Sequence, residues 1–420
     1  MIHIEKLSLK NVGKYSWQTF IDNFIGTKET RTHLLEKRRP NLARTYINSQ
    51  ILTPLLLPKL SNVTLGKFFN TTGLDIDILL TGNYDIKNLV IEISIDNINS
   101  LPKNKLKTLL ESYPVILNDF EEGGNLYHNE NLNLVKLLTD RNIKPKQLFL
   151  VGGCLQLEDY PSLNIYKIHY DYWMIISTTV NQNFSNAIFN NKYKQNLLDQ
   201  LETPPNKFCI IPMFKPRQHR LNLLSQLNYI DMLDKCDWSL ALDYNPITNT
   251  YYSFKTIPEQ ENYNVQVFLK KYKFPKFLPN SVDLTWSDII SPNIADFNQY
   301  RFYLSAETFL GDEVLTPMGG CGFTTEKTFK SFLTGSTPII YGPKEIAPHL
   351  INMGFKTTHN ADSSNYTSVA NLVKTVYDTQ IYEKDLIQHN FDLITNGNFL
   401  ASQVAAPLNK IAELINSVRR

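Results

Sequence analysis

Two short stretches of the chain set ionisable side chains where a helix would open just after a strand. In TTEKTFKSFLTG, Thr324 to Gly335, the threonines Thr324 and Thr325 precede Glu326 and Lys327. In KPRQHRLNLLSQL, Lys215 to Leu227, the opening carries Lys215, Arg217, His219 and Arg220. The first amides of a helix have no partner within it and lie at the positive end of its dipole, so such an opening suits a phosphate. A carboxylate beside it, here Glu326, can accept both hydroxyls of a ribose. Cationic side chains at that end are disfavoured by about 0.3–1 kcal/mol each unless an anion joins them. Arginine's planar fork matches a diphosphate. The two stretches together read as parts of one nucleotide-binding site. Plainer readings stay open: Glu326 precedes Lys330 by four residues, the favourable order for a surface ion pair, and the basic stretch also describes a solvated turn. A lone histidine such as His219 fits a structural role as well as a hydrogen bond to phosphate.

Strands must present these openings. In YRFYLSAE, Tyr300 to Glu307, Phe302, Leu304 and Ala306 alternate with Arg301, Tyr303 and Ser305, the two-residue period of a strand that ends at Glu307. In open α/β sheets, ligands bind at the carboxyl ends of the strands. Phe329, Phe332 and Leu333 recur at helical spacing after the Thr324–Thr325 cap, Gly335 is the expected stop, and PIIY, Pro338 to Tyr341, is the next strand. FCIIPMF, Phe208 to Phe214, reads as a strand with Pro212 at an edge or near its end. It feeds a helix with Pro216 in the first position and Leu221, Leu224 and Leu227 on its buried face.

The string RFYLSAET, followed by TTEKTFKSFLTGSTPIIYGP, resembles the donor-binding signature of α1,3-fucosyltransferases and is also similar to exostosin-like transferases. That signature is a strand ending in Glu-Asn-Ser, then Tyr-x-Thr-Glu-Lys, then a Pro-x-x-x-Gly strand. The match is close over about a tenth of the chain, and over about half once the basic helix at Arg217 is counted. It implies the GT-B architecture, an α/β fold of two Rossmann-like domains facing a cleft, and transfer of a sugar from a nucleoside-diphosphate sugar to a hydroxyl acceptor. It further implies Glu326 on the donor ribose, Lys327 with Arg217 or Arg220 on the diphosphate, and Glu307 shaping the donor pocket, with His219, Phe323 and Thr325 beside them. Thr308 stands where the family has Asn, Phe323 where it has Tyr, and the loop with Gly311, Gly319, Gly320 and Gly322 is longer. A nucleotide-sugar-binding protein without turnover is the alternative that these departures leave open.

Inverting transfer needs a base to take the acceptor's proton. In the resembled family it is a carboxylate of the first domain just after a strand. Here NDFEEGGN, Asn118 to Asn125, offers Glu121, with Asp119 and Glu122 as neighbours; Glu92, Glu158 and Asp159 also lie near strand ends, and an acidic surface turn is the plain alternative. Asp75-Ile76-Asp77 matches the Asp-x-Asp pattern for a divalent cation, but GLDIDILL alternates like an amphipathic strand rather than ending one. Lys327, Arg217 and Arg220 could neutralise the leaving group instead, so no metal or other cofactor is expected.

The chain has 420 residues, 42% of them hydrophobic, enough for two α/β domains. We expect an N-terminal acceptor-side domain over 1–200, a nucleotide-sugar-binding domain over 207–395 and a C-terminal helix over 396–420 packing back, with Glu202 to Lys207 as the linker. Strands are expected at Asn88 to Ile95, Tyr113 to Phe120 and Gln147 to Gly153, alternating with helices near Lys105 to Glu111 and Asn131 to Thr139. A formal charge of +2 excludes a globally basic nucleic-acid binder. The cluster Arg31, Lys37, Arg38, Arg39 and Arg44 either is a solvated face or touches an acidic polymer, so the acceptor is a glycan or a hydroxylated base in DNA. Tyr170, Tyr172 and Trp173 are either core or sugar-stacking aromatics. Cys154, Cys209, Cys236 and Cys321 fall far apart, which points to neither a zinc site nor a disulfide framework. With no signal-peptide core and no run near the ~20 apolar residues of a membrane span, a cytoplasmic protein without membrane insertion is expected.

Overall fold

The computed structural model describes residues 102–117, 138–153, 159–169, 201–213, 216–240, 263–278, 299–307, 324–325, 327–357 and 363–396. It also describes the backbone at 64–68, 89–94, 118–119 and 326, and single positions between 155 and 199 and between 399 and 414. The fold is mixed α/β and built on two parallel sheets. The chain divides into two compact units: Met1–Ile175 with Gly397–Arg420 belong to the first, and Ile176–Gly311 with Gly322–Asn396 to the second. The junction thus falls ahead of the Glu202 to Lys207 stretch.

The first unit carries β1 (Thr64–Phe68), β2 (Leu89–Ser94), β3 (Pro114–Asp119), β4 (Gln147–Gly152) and β5 (Ile165–His169), side by side in chain order and all parallel. All six residues of β4 are buried, as a strand with both faces covered requires. Helix α1 (Lys103–Ser112) precedes β3 and buries Leu106, Leu109 and Leu110. The three expected strands are present as β2, β3 and β4; of the expected helix at Asn131 to Thr139 only the end, at 138–140, is described. Every described position from 399 to 414 is helical. Within this unit, Gln147 Nε2 donates to the Leu414 carbonyl at 3.0 Å and Lys410 Nζ to that of Lys167 at 3.0 Å.

In the second unit β6 (Lys207–Pro212), β7 (Cys236–Ser239), β8 (Tyr300–Ala306) and β9 (Thr337–Tyr341) form a parallel sheet in the order β7-β6-β8-β9. Helix α2 (Gln218–Tyr229) joins β6 to β7, α3 (Tyr263–Lys271) follows β7, and α4 (Glu326–Ser331) joins β8 to β9. Helices α5 (Ile346–Asn352), α6 (Tyr366–Thr379) and α7 (Lys384–Ile394) complete it. One core holds Leu221, Leu224 and Leu227 of α2, Phe302 and Leu304 of β8, Ile339 of β9 and Val369 and Val373 of α6. Each set recurs at the spacing that puts one face inward.

Two local expectations change. Pro216 does not open α2: Arg217 is the N-cap, with extended φ −137° and ψ 152°, and its carbonyl accepts the first intrahelical bond from Leu221 N at 3.0 Å. Residues 216 and 217 are not yet helical, and the first turn begins at Gln218. Helix α4 is also shorter than its apolar spacing suggests, because a tight Leu333 N to Lys330 O bond of 2.9 Å closes it early. Gly335 takes the left-handed φ of +68° beyond it.

At the amino edge of this sheet the Asp237 carboxylate accepts from Tyr300 Oη at 2.6 Å and Lys207 Nζ at 3.1 Å. Burial pushes the Asp237 carboxyl up, but those two hydrogen bonds and the charges of Lys207 and Lys276 outweigh it and hold the group below its ordinary value. A carboxyl lowered by folding adds stability above its unfolded value and loses that contribution as pH falls through the folded one. Tyr300→Phe should therefore destabilise the fold by about 1 kcal/mol near neutral pH. Urea midpoints followed from about pH 7 downward should show the difference shrinking as pH falls through the lowered value of folded Asp237; a difference independent of pH would contradict this.

Candidate functional site

The order β7-β6-β8-β9 reverses direction at β6, with β7 added on one side and β8 on the other. In open α/β sheets, the crevice at the carboxyl ends of the strands flanking such a reversal is where ligands bind. The pairing geometry opens that crevice here. β6 pairs with β8 only as far as Ile210 with Tyr303, while β6 stays with β7 to Pro212 with Ser239 and β8 stays with β9 to Ala306 with Tyr341. Past Tyr303 the central strands have parted, and the last carbonyls of β8 on the β6 side need donors from elsewhere.

Helix α2 supplies them. His219 and Arg220, in its first turn, are each 2% exposed. Arg220 Nη2 donates to the carbonyls of Ala306 and Glu307, each at 3.0 Å, and His219 Nε2 lies 3.0 Å from that of Glu307. The imidazole also packs against Tyr341, with ring centroids 5.7 Å apart. The opening of α2 is thereby anchored on the end of β8. Arg217, half-buried, stands at the opening itself, where no side chain caps the helix and the first turn holds no acid.

The opening of α4 is anchored on the same residue. Glu307 is fully buried, and its carboxylate accepts from Thr325 N at 3.1 Å and from the hydroxyls of Thr325 and Thr328. Thr325 is the N-cap, and its Oγ1 accepts from Lys327 N and Lys327 Nζ, both at 3.3 Å. Lys327 is half-buried, its ammonium held beside the cap. Lys330, which an exposed ion pair with Glu326 would need on the surface, is 4% exposed. Glu326 is the first residue of α4. With only six residues, α4 offers a short dipole, so an anion here would meet mainly the Lys327 side chain, and the longer helix charge belongs to the 12 residues of α2.

Arg217, His219, Arg220, Glu307, Thr325, Glu326 and Lys327 thus all lie at the carboxyl edge of one sheet. Phe323, Thr308 and Lys215 lie outside the described residues, as do Glu121, Glu122, Glu158, Asp75, Asp77, the cluster from Arg31 to Arg44 and the aromatics Tyr170, Tyr172 and Trp173. Asp119 ends β3, so the acidic turn does begin at a strand's carboxyl end, whereas Glu92 lies inside β2, two residues short of its end. Asp159 accepts a hydrogen bond from Lys167 N. Among the described residues no helix is long and apolar enough to cross a membrane.

No protein-family model matches the chain, and no curated protein does. Two solved structures are similar to it. One is an α,α-trehalose-phosphate synthase (UDP-forming) from Burkholderia vietnamiensis, at a TM-score of 0.35 and 10% identity over 77% of this chain and 67% of that one. The other is an α,α-trehalose 6-phosphate synthase from Burkholderia multivorans, at 0.39 and 10% identity over 98% and 81%. At TM-scores this low neither likeness says what this chain does.

Sequence reasoning missed Thr328, Tyr341 and Gly342. Thr328 lies three residues after Thr325 and so on the same helix face, a signal that was available. Glu307 N donates to the Tyr341 carbonyl at 2.8 Å, which brings the end of β9 against the carboxylate. Only a glycine fits next: a Cβ on Gly342 would lie 2.8 Å from Ile346 Cδ1 and 3.0 and 3.1 Å from Glu307 Cγ and Cβ. The isoleucine methyl can swing away, but Glu307 would have to give by a few tenths of an ångström against its bonds to Thr325 and Thr328. Gly342→Ala should therefore cost about 1–3 kcal/mol in denaturant unfolding. A midpoint unchanged from that of the parent would show that Glu307 is not rigidly held.

Proposed function

We propose that this chain is a glycosyltransferase that takes its sugar from a nucleoside-diphosphate sugar, with the second unit binding the donor. The observation that carries this reading is that the openings of α2 and α4, which bear Arg217 and Lys327, are both tied to Glu307 at the point where the sheet reverses direction. Strings resembling the donor signature of α1,3-fucosyltransferases supply the roles. Arg217 and Lys327 hold the diphosphate, Glu326 accepts from the ribose, and Phe323 lies beside the donor. The acceptor is a hydroxyl of a glycan. Its oxygen attacks the anomeric carbon, the bond from that carbon to the diphosphate breaks with its electron pair leaving on the phosphate, and the configuration inverts. Glu121 takes the acceptor's proton. The cations at the two helix openings stabilise the charge that grows on the leaving diphosphate, a task that needs no metal ion.

Incubation with UDP-, GDP- and ADP-sugars should raise the melting temperature for one nucleotide class. A ligand at one hundred times its dissociation constant stabilises by about 2.7 kcal/mol. Arg217→Ala and Lys327→Ala should each abolish that gain in a protein that still melts cooperatively. A gain that survives both substitutions would place the donor elsewhere, and no gain with any donor would overturn the reading. Glu121→Gln should keep donor affinity and lose transfer, so full turnover in that variant would move the base to another carboxylate.

A further inference from the structure

We infer that Glu307 and Thr328 are positioning residues of the donor site: they touch no ligand, and they set its affinity by holding the openings of α2 and α4 in one fixed relation. The inference rests on the donor-site reading above. Glu307 is used on both of its ends. Its main-chain carbonyl receives Arg220 Nη2 and His219 Nε2 from α2, and its carboxylate receives the Thr325 amide and the Thr325 and Thr328 hydroxyls from α4. No atom of the residue reaches solvent, since its exposure is 0%, and Thr328 is likewise at 0%. A side chain so enclosed cannot meet a ribose or a phosphate, yet each element that bears a ligand-facing cation is one hydrogen bond away from it. The link on the α4 side runs from Lys327 through the Thr325 hydroxyl to the carboxylate.

Thr328 is where this arrangement is open to test, because its hydroxyl adds nothing to the helix cap and serves the carboxylate, with Ser305 Oγ 3.5 Å away as its other hydroxyl neighbour. Removing the hydroxyl leaves one lone-pair site of a buried carboxylate without its donor, and such a group recovers a partner by moving. Any shift of Glu307 toward another donor disturbs its bonds to Thr325, and with them the setting of the α4 opening and of Lys327 against the opening of α2. Affinity for a diphosphate bridging the two cations falls, although the fold survives. A residue that only supports the core would lower the melting temperature and leave the affinity of the folded protein alone.

The test is isothermal titration of the full chain with UDP, GDP and ADP at a temperature well below unfolding, together with melting temperatures. Thr328→Val, which keeps the shape, should bind the preferred nucleoside diphosphate about tenfold more weakly or worse, and Thr328→Ser should restore the parent affinity. Glu307→Gln should weaken binding similarly, and the double variant should be no weaker than the worse single one, because both act through one contact. If Thr328→Val does not fold, the comparison of Glu307→Gln with Thr328→Ser carries the same decision. Parent-like affinity in folded Thr328→Val or in Glu307→Gln overturns the positioning role and leaves the donor site standing. Failure of the unsubstituted protein to bind any of the three nucleotides overturns the donor site and this inference with it.

Discussion

A carboxylate taken wholly out of water is costly unless donors surround it, and the enclosure of Glu307 is the constraint on which the second unit's carboxyl edge depends. Its satisfaction dictates much of what is nearby. Thr325 must cap α4 with its hydroxyl turned to the strand, Thr328 must face the same way one turn later, and residue 342 must lack a Cβ. The carbonyl of the same residue, stranded where β6 and β8 part, draws in Arg220 and His219. Two crossover helices are thereby pinned to one strand end.

That arrangement separates the basic residues of α2 into two jobs. Arg220 spends its guanidinium on main-chain carbonyls in the interior, where a planar, always-charged donor is well suited to hold two acceptors at once. Arg217, at the N-cap, is left at the mouth of a twelve-residue helix whose first amides have no acidic neighbour. At the other opening Lys327 is steadied by the cap hydroxyl.

How much of this could be read beforehand follows from the range of the forces involved. Local patterns carried over well: the alternation in Tyr300 to Ala306, the strand at Lys207–Pro212 ending on its proline, the threonine cap and the left-handed Gly335 all depend on neighbours within a few residues. β7 and β5 were missed because their short runs, CDWS and IYKIH, carry too little periodicity to stand out from their flanks. The start of α2 was misjudged because a proline fits both the first helical turn and the turn before it. The inward orientation of His219 and Arg220 was not legible at all, since it arises from unpaired carbonyls 86 to 88 residues away that exist only once β6 and β8 have separated. The Pro-x-x-x-Gly spacing at Pro338 and Gly342 was visible as a pattern, and the reason for its glycine, close contact with Glu307, came only with the fold.

A crystal structure of the full chain with the nucleoside diphosphate that stabilises it most would test the central claim directly. The diphosphate should lie at the carboxyl ends of β6 and β8, within hydrogen-bonding distance of both Arg217 and Lys327, with Glu307 still enclosed and in contact with no ligand atom. Phosphates bound away from that crevice, or held by only one of the two helix openings, would contradict the account.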